Sequence, residues 1–314
     1  MRYRSVGNTG LQVSEISLGT AEIGLDYGFK GNAHYGKPDV NQSIELIHAA
    51  LDSGINLLDT APSYGKSEEL IGQALKGMAS PPYISTKVML SKGAAQKTFS
   101  VLHEEIFGSI EASLRALGME TLDLLLIHNT LVEHLHAPDI LGCLEEARQQ
   151  GKVRFVGASS YGAEIPLAVL RQPLFRALQA PFSLLDQRMS ERVFPEAAAQ
   201  GVGVFVRSAY LRGVLTGQIH SIPERLAPLK SRALQAQAVL DREVSSLAEA
   251  ALRFCLSLSA VSSVVIGVKN VAELEANLAD AQRGSLPEEL MPRLQELSFG
   301  DDPIVDTRNW QDLI

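Results

Sequence analysis

Four residues whose types suit proton exchange lie at or just after short apolar segments of the chain. Asp59, Lys87 and His128 each end one of three consecutive apolar segments, and Tyr64 lies in the loop after the first of them. A single ionisable residue in such a place is often structural. Three in succession indicate a shared site, because the carboxyl ends of parallel strands converge on one edge of a sheet or one mouth of a barrel.

These side chains suit the transfer of a proton to a carbonyl oxygen. A free phenol has a pKa of about 10, too high for efficient proton exchange near neutral pH. A nearby ammonium favours the phenolate and lowers that pKa, and Lys87 can supply the charge. A half-buried lysine tends to lose its proton, so it needs a carboxylate, which Asp59 provides. His128 can donate a hydrogen bond to a substrate oxygen. The set needs no metal and supplies no hydride, so a cofactor must provide it.

Eight short apolar segments rich in β-branched residues alternate with helical patterns. We predict strands over residues 15–19, 55–58, 83–88, 122–127, 153–157, 175–180, 202–206 and 263–266. Apolar strands separated by helices are typical of a covered parallel sheet. Eight such units predict an α/β fold, a (β/α)8 TIM barrel with an N-terminal β-hairpin that closes its bottom, forming a single domain over residues 1–314.

The helical patterns carry caps and apolar stripes. Asp39 with Gln42 predicts a capping box, and another helix ends at Gly118. A residue pair, Ser246 and Glu249, predicts a later cap. Two apolar stripes each lie on one helix face: Val40, Ile44, Ile47 and Leu51, and then Leu102, Ile106, Ile110, Leu114 and Leu117.

A doubly wound sheet is the competing fold, but the first strand is not followed by the glycine-rich turn that a dinucleotide site there requires. The gap between the last two strands predicts an insertion, residues 210–244, at the ligand-binding end of the barrel. The segment with His134 and His136 is expected to be a solvent loop and not a metal site. Cys143 and Cys255 are expected in the core.

The composition excludes several classes of partner. A formal net charge of −8 argues against nucleic acid, which needs a basic face. No apolar run is long enough to span a membrane, and the N-terminal residues lack the apolar region of a signal peptide. Two cysteines make no disulfide framework, so we expect a cytoplasmic protein.

In its ordered motifs the chain resembles the aldo-keto reductase family over nearly its whole length. The segments that carry the resemblance are Gly7–Ser14, Leu18-Gly19-Thr20, Leu58-Asp59-Thr60-Ala61 with Tyr64-Gly65, Ser85-Thr86-Lys87, Leu126-Ile127-His128, Val156-Gly157-Ala158-Ser159, Gln179, Gly213–Gly217, Ile266-Gly267 and Asn277.

The resemblance implies NAD(P)-linked reduction of an aldehyde, ketone or sugar carbonyl. It makes Asp59, Tyr64, Lys87 and His128 the catalytic positions, with Tyr64 the acid in reduction and the base in oxidation. It also implies cofactor-binding positions on several strand ends: Gly19, Thr20, Asp59, Ser159, Ser160, Gln179, Arg207, Ser208, Gly213, Gly267, Lys269, Asn270, Glu273 and Asn277.

Two positions depart from the family pattern. Ser160 stands where the family commonly has Asn. Arg207 stands where an aromatic ring usually stacks on the nicotinamide; its guanidinium plane can stack too, or can reach an anionic group of the substrate.

The cofactor signals conflict. Lys269 suits the 2′-phosphate of NADP, whereas an acidic Glu273 suits the ribose hydroxyl of NAD. We expect NADP, with NAD as the alternative.

The substrate is less defined than the reaction. The aromatic residues of loop 25–37 and Trp310 either line a substrate pocket or simply pack the loop; the loop residues are Tyr27, Phe29, His34 and Tyr35. Two other functions stay open: an NAD-dependent sugar dehydrogenase working in the oxidative direction, and a nicotinamide-sensing subunit with little turnover. Oligomeric state is not predicted.

Overall fold

The structure is a computed structural model that describes residues 1–31 and 34–314. Its strands are β1 (Tyr3–Ser5), β2 (Gln12–Ser14), β3 (Ile16–Gly19), β4 (Leu57–Asp59), β5 (Tyr83–Val88), β6 (Leu122–Ile127), β7 (Val153–Ser159), β8 (Phe175–Pro181), β9 (Gly203–Arg207) and β10 (Ser263–Gly267). Its helices are α1 (Ala21–Gly24), α2 (Val40–Asp52), α3 (Ser67–Leu75), α4 (Phe99–Leu117), α5 (Val132–Leu135), α6 (Pro138–Gln149), α7 (Glu164–Leu170), α8 (Val193–Gln200), α9 (Ala227–Ala238), α10 (Leu247–Leu256), α11 (Val271–Gln282) and α12 (Leu290–Gln295).

Strands β3 to β10 close a parallel barrel. Each pairs with the next along the chain, and β10 pairs with β3 to close the ring. The predicted (β/α)8 barrel is therefore confirmed, and every predicted strand overlaps an observed one. The apolar runs were sufficient for this because both faces of such strands are buried, one by the barrel interior and one by the helices.

The N-terminal hairpin fills one end of the barrel. Strands β1 and β2 pair antiparallel, and their apolar residues form a second core cluster with side chains that point inside the ring. The members of this cluster are Val6, Leu11, Val13, Leu57, Leu124, Leu126, Ala177 and Phe205. The hairpin thus closes the bottom, and the opposite end remains the mouth.

The helices follow their predicted caps more closely than their predicted faces. Asp39 and Gln42 form the expected capping box, and every residue of the predicted α4 stripe is buried. The predicted α2 face is correct in part: Ile47 is buried and Ile44 and Leu51 are partly buried against the core, but Val40 is 50% exposed. Ser43 and Ala50 are fully buried, and a pattern read from large apolar side chains alone overlooks them.

Two local expectations had different outcomes. Cys143 and Cys255 are buried and unpaired, as core residues should be. His134 was expected in a solvent loop, but it lies in α5 with 2% exposure, and its Nδ1 accepts a hydrogen bond from the Leu131 amide. Between β9 and β10 the predicted insertion forms α9 and short 3-10 turns, including Leu211–Gly213 at the mouth. Among the described residues no helix is long and apolar enough to cross a bilayer.

Candidate active site

The centre of the mouth is a buried ion pair between neighbouring strand ends. Asp59 ends β4 and Lys87 lies near the end of β5, and the two residues are 5% and 1% exposed. Lys87 Nζ donates to Asp59 Oδ1 at 2.7 Å and to the Thr60 carbonyl at 2.8 Å. Burial alone would lower the pKa of Lys87, but the charge of Asp59 and its hydrogen bond, with a contribution from Tyr64, raise it. The pair therefore favours the charged form of Lys87.

Two further donors hold the Asp59 carboxylate in place. Ser85 Oγ and Gln179 Nε2 donate to Asp59 Oδ2 at 3.0 and 2.8 Å. Gln179 in turn accepts a hydrogen bond from Ser159 Oγ at 3.1 Å. The carboxylate therefore has one oxygen on the ammonium and the other on neutral donors, which fixes its rotation and the position of Lys87.

The loop after β4 brings the Tyr64 ring over that ammonium. Lys87 Nζ lies 5.0 Å from the centre of the ring. The loop is seated by a close backbone approach: a Cβ at Gly24 would lie 1.8 Å from the Tyr64 carbonyl oxygen, and one at Gly65 would lie 2.4 Å from the Gly24 oxygen. Only glycines allow this contact, which fixes the height of the phenol above the barrel.

His128 follows β6 on the other side of the phenol. Its ring meets the Tyr64 ring edge-on, with centroids 5.5 Å apart, and its Nδ1 lies 3.3 Å from Ser63 Oγ. Burial, followed by the charges of Lys87 and Arg207, lowers the pKa of His128 to about 3. The imidazole is therefore neutral near pH 7, and it can orient a carbonyl by hydrogen bonding without delivering a charge.

These groups open into one large cavity of about 1370 Å³. That volume exceeds the range of roughly 300–1,000 Å³ that is usual for drug-sized ligands, so there is room for a dinucleotide and a substrate together. The predicted residues that line it are Gly19, Thr20, Asp59, Tyr64, His128, Ser159, Arg207, Ser208, Gly213, Gly267, Lys269, Asn270, Glu273 and Asn277. The predicted residues that lie behind its wall are Lys87, Ser160 and Gln179.

Arg207 lies flat against a tyrosine. Its guanidinium carbon is 4.0 Å from the centre of the Tyr161 ring, and Arg308 lies 4.2 Å from the same centre. Arg207 Nη2 also donates to the Ser160 carbonyl at 3.0 Å. The guanidinium is thus held as a plane at the mouth. Tyr161, in the loop after β7, also lines the cavity and was not predicted from the sequence.

The loop after β9 has an unusual backbone. Ser208, Leu211 and Arg212 have φ values of 65°, 46° and 55°, and Gly213 follows at 94°. Left-handed conformations of non-glycine residues cost about 1–3 kcal/mol each and cluster at functional sites, where turned amides form concavities for anions. Arg212 lines the cavity, stacks on Tyr27 at 4.3 Å, and makes no hydrogen bond to another described residue. It was not predicted, because an arginine in a loop has no local signature.

Residues after β10 form the far wall. Asn270 caps α11 by accepting from the Glu273 amide at 2.9 Å, and Asn277 Oδ1 accepts from the Tyr210 hydroxyl at 2.6 Å. Glu273 Oε2 accepts from the Lys269 amide at 2.9 Å. The far wall therefore carries polar and charged groups on short, well-ordered elements, as a bound anion or ribose would require.

The aromatic residues of loop 25–37 divide between the two roles left open. Tyr27, His34 and Tyr35 line the cavity. Phe29 is 2% exposed and packs on the buried Trp310, with ring centroids 6.0 Å apart. Within this loop, residues 32 and 33 lie outside the described part of the chain.

The comparisons with known proteins agree with this geometry. Residues 15–298 match the model of the aldo/keto reductase family. The chain is 32% identical to aldo-keto reductase YhdN of Bacillus subtilis over 70% of this chain and 65% of that relative, so the match spans just under two thirds of it. It is 29% identical to the NADH-specific methylglyoxal reductase of Escherichia coli over 90% and 96% of the two chains.

A solved structure covers nearly the whole fold. Aldo-keto reductase AKR11C1 from Bacillus halodurans, in its holo form, superposes with a TM-score of 0.77 at 26% identity, over 95% of this chain and 96% of that one. The chain belongs to the aldo/keto reductase family and is an oxidoreductase, with NAD(P)-dependent carbonyl reduction as its family-level reaction.

Proposed function

We propose that this protein reduces small polar aldehydes or ketones, with Tyr64 as the proton donor to the carbonyl oxygen. The observation that carries this is the fully buried ammonium of Lys87, held by Asp59, 5.0 Å from the Tyr64 ring. A fixed cation beside a phenol stabilises the phenolate that remains after the proton has left. In the oxidative direction the same phenolate accepts the proton from the alcohol.

His128 positions the substrate in this proposal. Its neutral ring lies beside the phenol, so one ring N–H can donate to the carbonyl oxygen that Tyr64 protonates. Burial, and after it the charges of Lys87 and Arg207, lowers the pKa of His128 and keeps the ring neutral. Proton transfer is thereby assigned to Tyr64 alone, and the imidazole contributes orientation.

The hydride comes from the nicotinamide of a bound dinucleotide. We propose that the dinucleotide lies along the strand ends from β3 to β10, because the cavity is continuous there. The anion-binding groups we propose for it are the strained loop 208–213 and the guanidinium of Arg212, which stacks on Tyr27 and makes no hydrogen bond to another described residue. Ser159, Gln179 and the plane of Arg207 are proposed for the nicotinamide end.

The substrate class rests on the cavity and on the relatives. Tyr27, Tyr161 and Arg207 give the mouth aromatic faces with a charged edge. Relatives of this chain are named as a methylglyoxal reductase, an L-galactose dehydrogenase and a pyridoxal 4-dehydrogenase. Small, polar, oxygen-rich carbonyl compounds fit both observations.

A turnover panel tests the proposal. Methylglyoxal, pyridoxal and L-galactose are offered with each dinucleotide in the matching redox state, and nicotinamide fluorescence is followed. We expect turnover of at least one compound, abolished by Tyr64→Phe. Tight dinucleotide binding with no turnover of any carbonyl compound would instead support the nicotinamide-sensing alternative.

We also propose that residues 1–314 act as one domain in a reducing, cytoplasmic setting. The support is that the hairpin packs inside the barrel and that both cysteines are buried thiols. Limited proteolysis checks the first point: a released N-terminal hairpin with an intact barrel would contradict it.

A further inference from the structure

A carboxylate that the motif pattern did not indicate lies in the wall of the cavity. Glu22 belongs to the short α1 segment directly after Thr20, is only partly exposed, and lines the cavity. It makes no hydrogen bond or ion pair with the described residues. A partly buried carboxylate without a hydrogen-bond partner is costly, so a ligand that donates to it would stabilise it.

Its position is made possible by a missing side chain. A Cβ at Gly267, the last residue of β10, would lie 2.3 Å from Glu22 Oε1. The carboxylate therefore reaches across the barrel seam, from the end of β3 to the end of β10, where Lys269 and Glu273 also lie. Lys269 and Glu273 are the residues that the motif pattern assigns to the ribose that carries or lacks a 2′-phosphate.

The cation that favours a 2′-phosphate is already engaged. Lys269 Nζ donates to the carbonyl of Tyr27 at 2.9 Å and also to the carbonyl of His34. These contacts use two of its three donors. Two carboxylates, Glu22 and Glu273, face the same region. Arg212 also lies within electrostatic range of Glu22, so the region carries two cations and two carboxylates. Because Lys269 is engaged and Glu22 is not, the region favours a ligand group that donates hydrogen bonds.

We propose that Glu22 accepts hydrogen bonds from the unphosphorylated ribose of the dinucleotide and makes this site prefer NAD(H) over NADP(H). A ribose diol offers two O–H donors to the carboxylate, whereas a 2′-phosphate offers only acceptors and like charge. The inference rests on the proposed function, since it requires a nicotinamide dinucleotide in this cavity. It reverses the expectation from Lys269 alone.

The protonation of Glu22 supports this role. Burial has the largest effect on the pKa of Glu22 and raises it to about 7. Among the neighbouring charges, Lys269 and Arg212 lower this pKa and Glu273 raises it. The remaining titratable neighbour is Tyr27, whose own pKa Glu22 helps to raise. The carboxyl is therefore increasingly ionised as the pH rises through neutrality. The preference for NADH over NADPH should therefore increase as the pH rises.

Dissociation constants for NADH and NADPH test the proposal by fluorescence titration, without any need for turnover. The variants are Glu22→Gln and, as a matched control, Glu45→Gln, which removes an exposed carboxylate from the rim of the same cavity. We expect the wild type to bind NADH more tightly. In Glu22→Gln the NADPH-to-NADH ratio of dissociation constants should fall by roughly tenfold, the size of one partly screened like-charge contact. Glu45→Gln should leave the ratio as in the wild type.

A variant-free measurement covers the case in which Glu22→Gln does not fold. Calorimetry of the wild type at pH 7, in two buffers of different ionisation enthalpy, reports the number of protons exchanged on binding. Binding of NADPH should be accompanied by the uptake of more protons than binding of NADH. A wild type that prefers NADPH, a ratio unchanged in Glu22→Gln, or equal proton exchange for both dinucleotides overturns the inference while leaving dinucleotide binding intact. A wild type that binds neither dinucleotide overturns the proposed function, and this inference with it.

Discussion

Replacing Lys87 by methionine should both destabilise the barrel and stop proton transfer. The substitution leaves the Asp59 carboxylate buried without its cation. Removal of one partner of a buried ion pair costs about 3–5 kcal/mol. Ser85 and Gln179 still donate to the remaining oxygen of Asp59. Because that carboxylate keeps two of its hydrogen bonds, we place the loss at about 3 kcal/mol.

Urea unfolding and turnover, measured on the same preparations, check this prediction. The control is Lys97→Met, which breaks the half-exposed pair with Glu105 and should cost less than about 1 kcal/mol. Adding Asp59→Asn to Lys87→Met should recover part of the stability, since the stranded charge is gone, but none of the activity. If Lys87→Met unfolds at the same urea concentration as Lys97→Met, the ion pair does not stabilise the site as described.

Three other substitutions test separately the placement of the Tyr64 loop, the protonation state of His128 and the binding of the dinucleotide by Arg212. Gly24→Ala should lower the free energy of unfolding by about 2–3 kcal/mol and lower kcat, because the new methyl group meets the loop that carries Tyr64. The control Gly108→Ala, at an exposed and open site in α4, should stabilise the protein by up to about 1 kcal/mol. A Gly24→Ala variant with unchanged stability and kcat would refute the role of this glycine in placing the loop. The lowered pKa of His128 means that folding favours its neutral form, so its contribution to the free energy of unfolding is present above the unfolded-state pKa and is lost as pH falls. Between pH 7 and 5 the wild type should lose up to about 2 kcal/mol more of that free energy than His128→Asn. Parallel pH profiles of unfolding for the two proteins would contradict this. Arg212→Ala should weaken dinucleotide binding about tenfold. The control Arg232→Ala, which removes a cation–π contact outside the cavity, should leave binding unchanged. Equal affinities of the two variants would show that Arg212 does not bind the dinucleotide.

The fold and the grouping of the four proposed catalytic residues at one mouth were predictable because their signals are local. Each strand is an apolar run, and Asp59, Lys87 and His128 each end or follow one. The face of α2 was predicted only in part because Ser43 and Ala50, which are fully buried, carry no strong apolar signal. For residues at the carboxyl ends of strands, position in the sequence was enough to predict a place at the mouth, because the barrel brings all these strand ends together.

The rest of the site depends on contacts between distant loops. Lys269 meets the Tyr27 carbonyl across 242 positions of sequence, and no spacing rule connects them. Tyr161 and Arg212 reach the cavity through loop conformations that their own types do not specify. Glu22 had one indirect signal, the glycine at 267, but a glycine at a strand end has many possible reasons, and only the structure shows which atom fills its space.

Single-turnover reduction by Tyr64→Phe tests the central claim most directly. The phenylalanine keeps the ring over the Lys87 ammonium and removes only the hydroxyl that would donate the proton. With dinucleotide and carbonyl substrate both saturating, we predict a rate lower by about 100- to 10,000-fold, with the dissociation constant of the dinucleotide unchanged. A rate within a few fold of the wild type would show that the proton comes from another group.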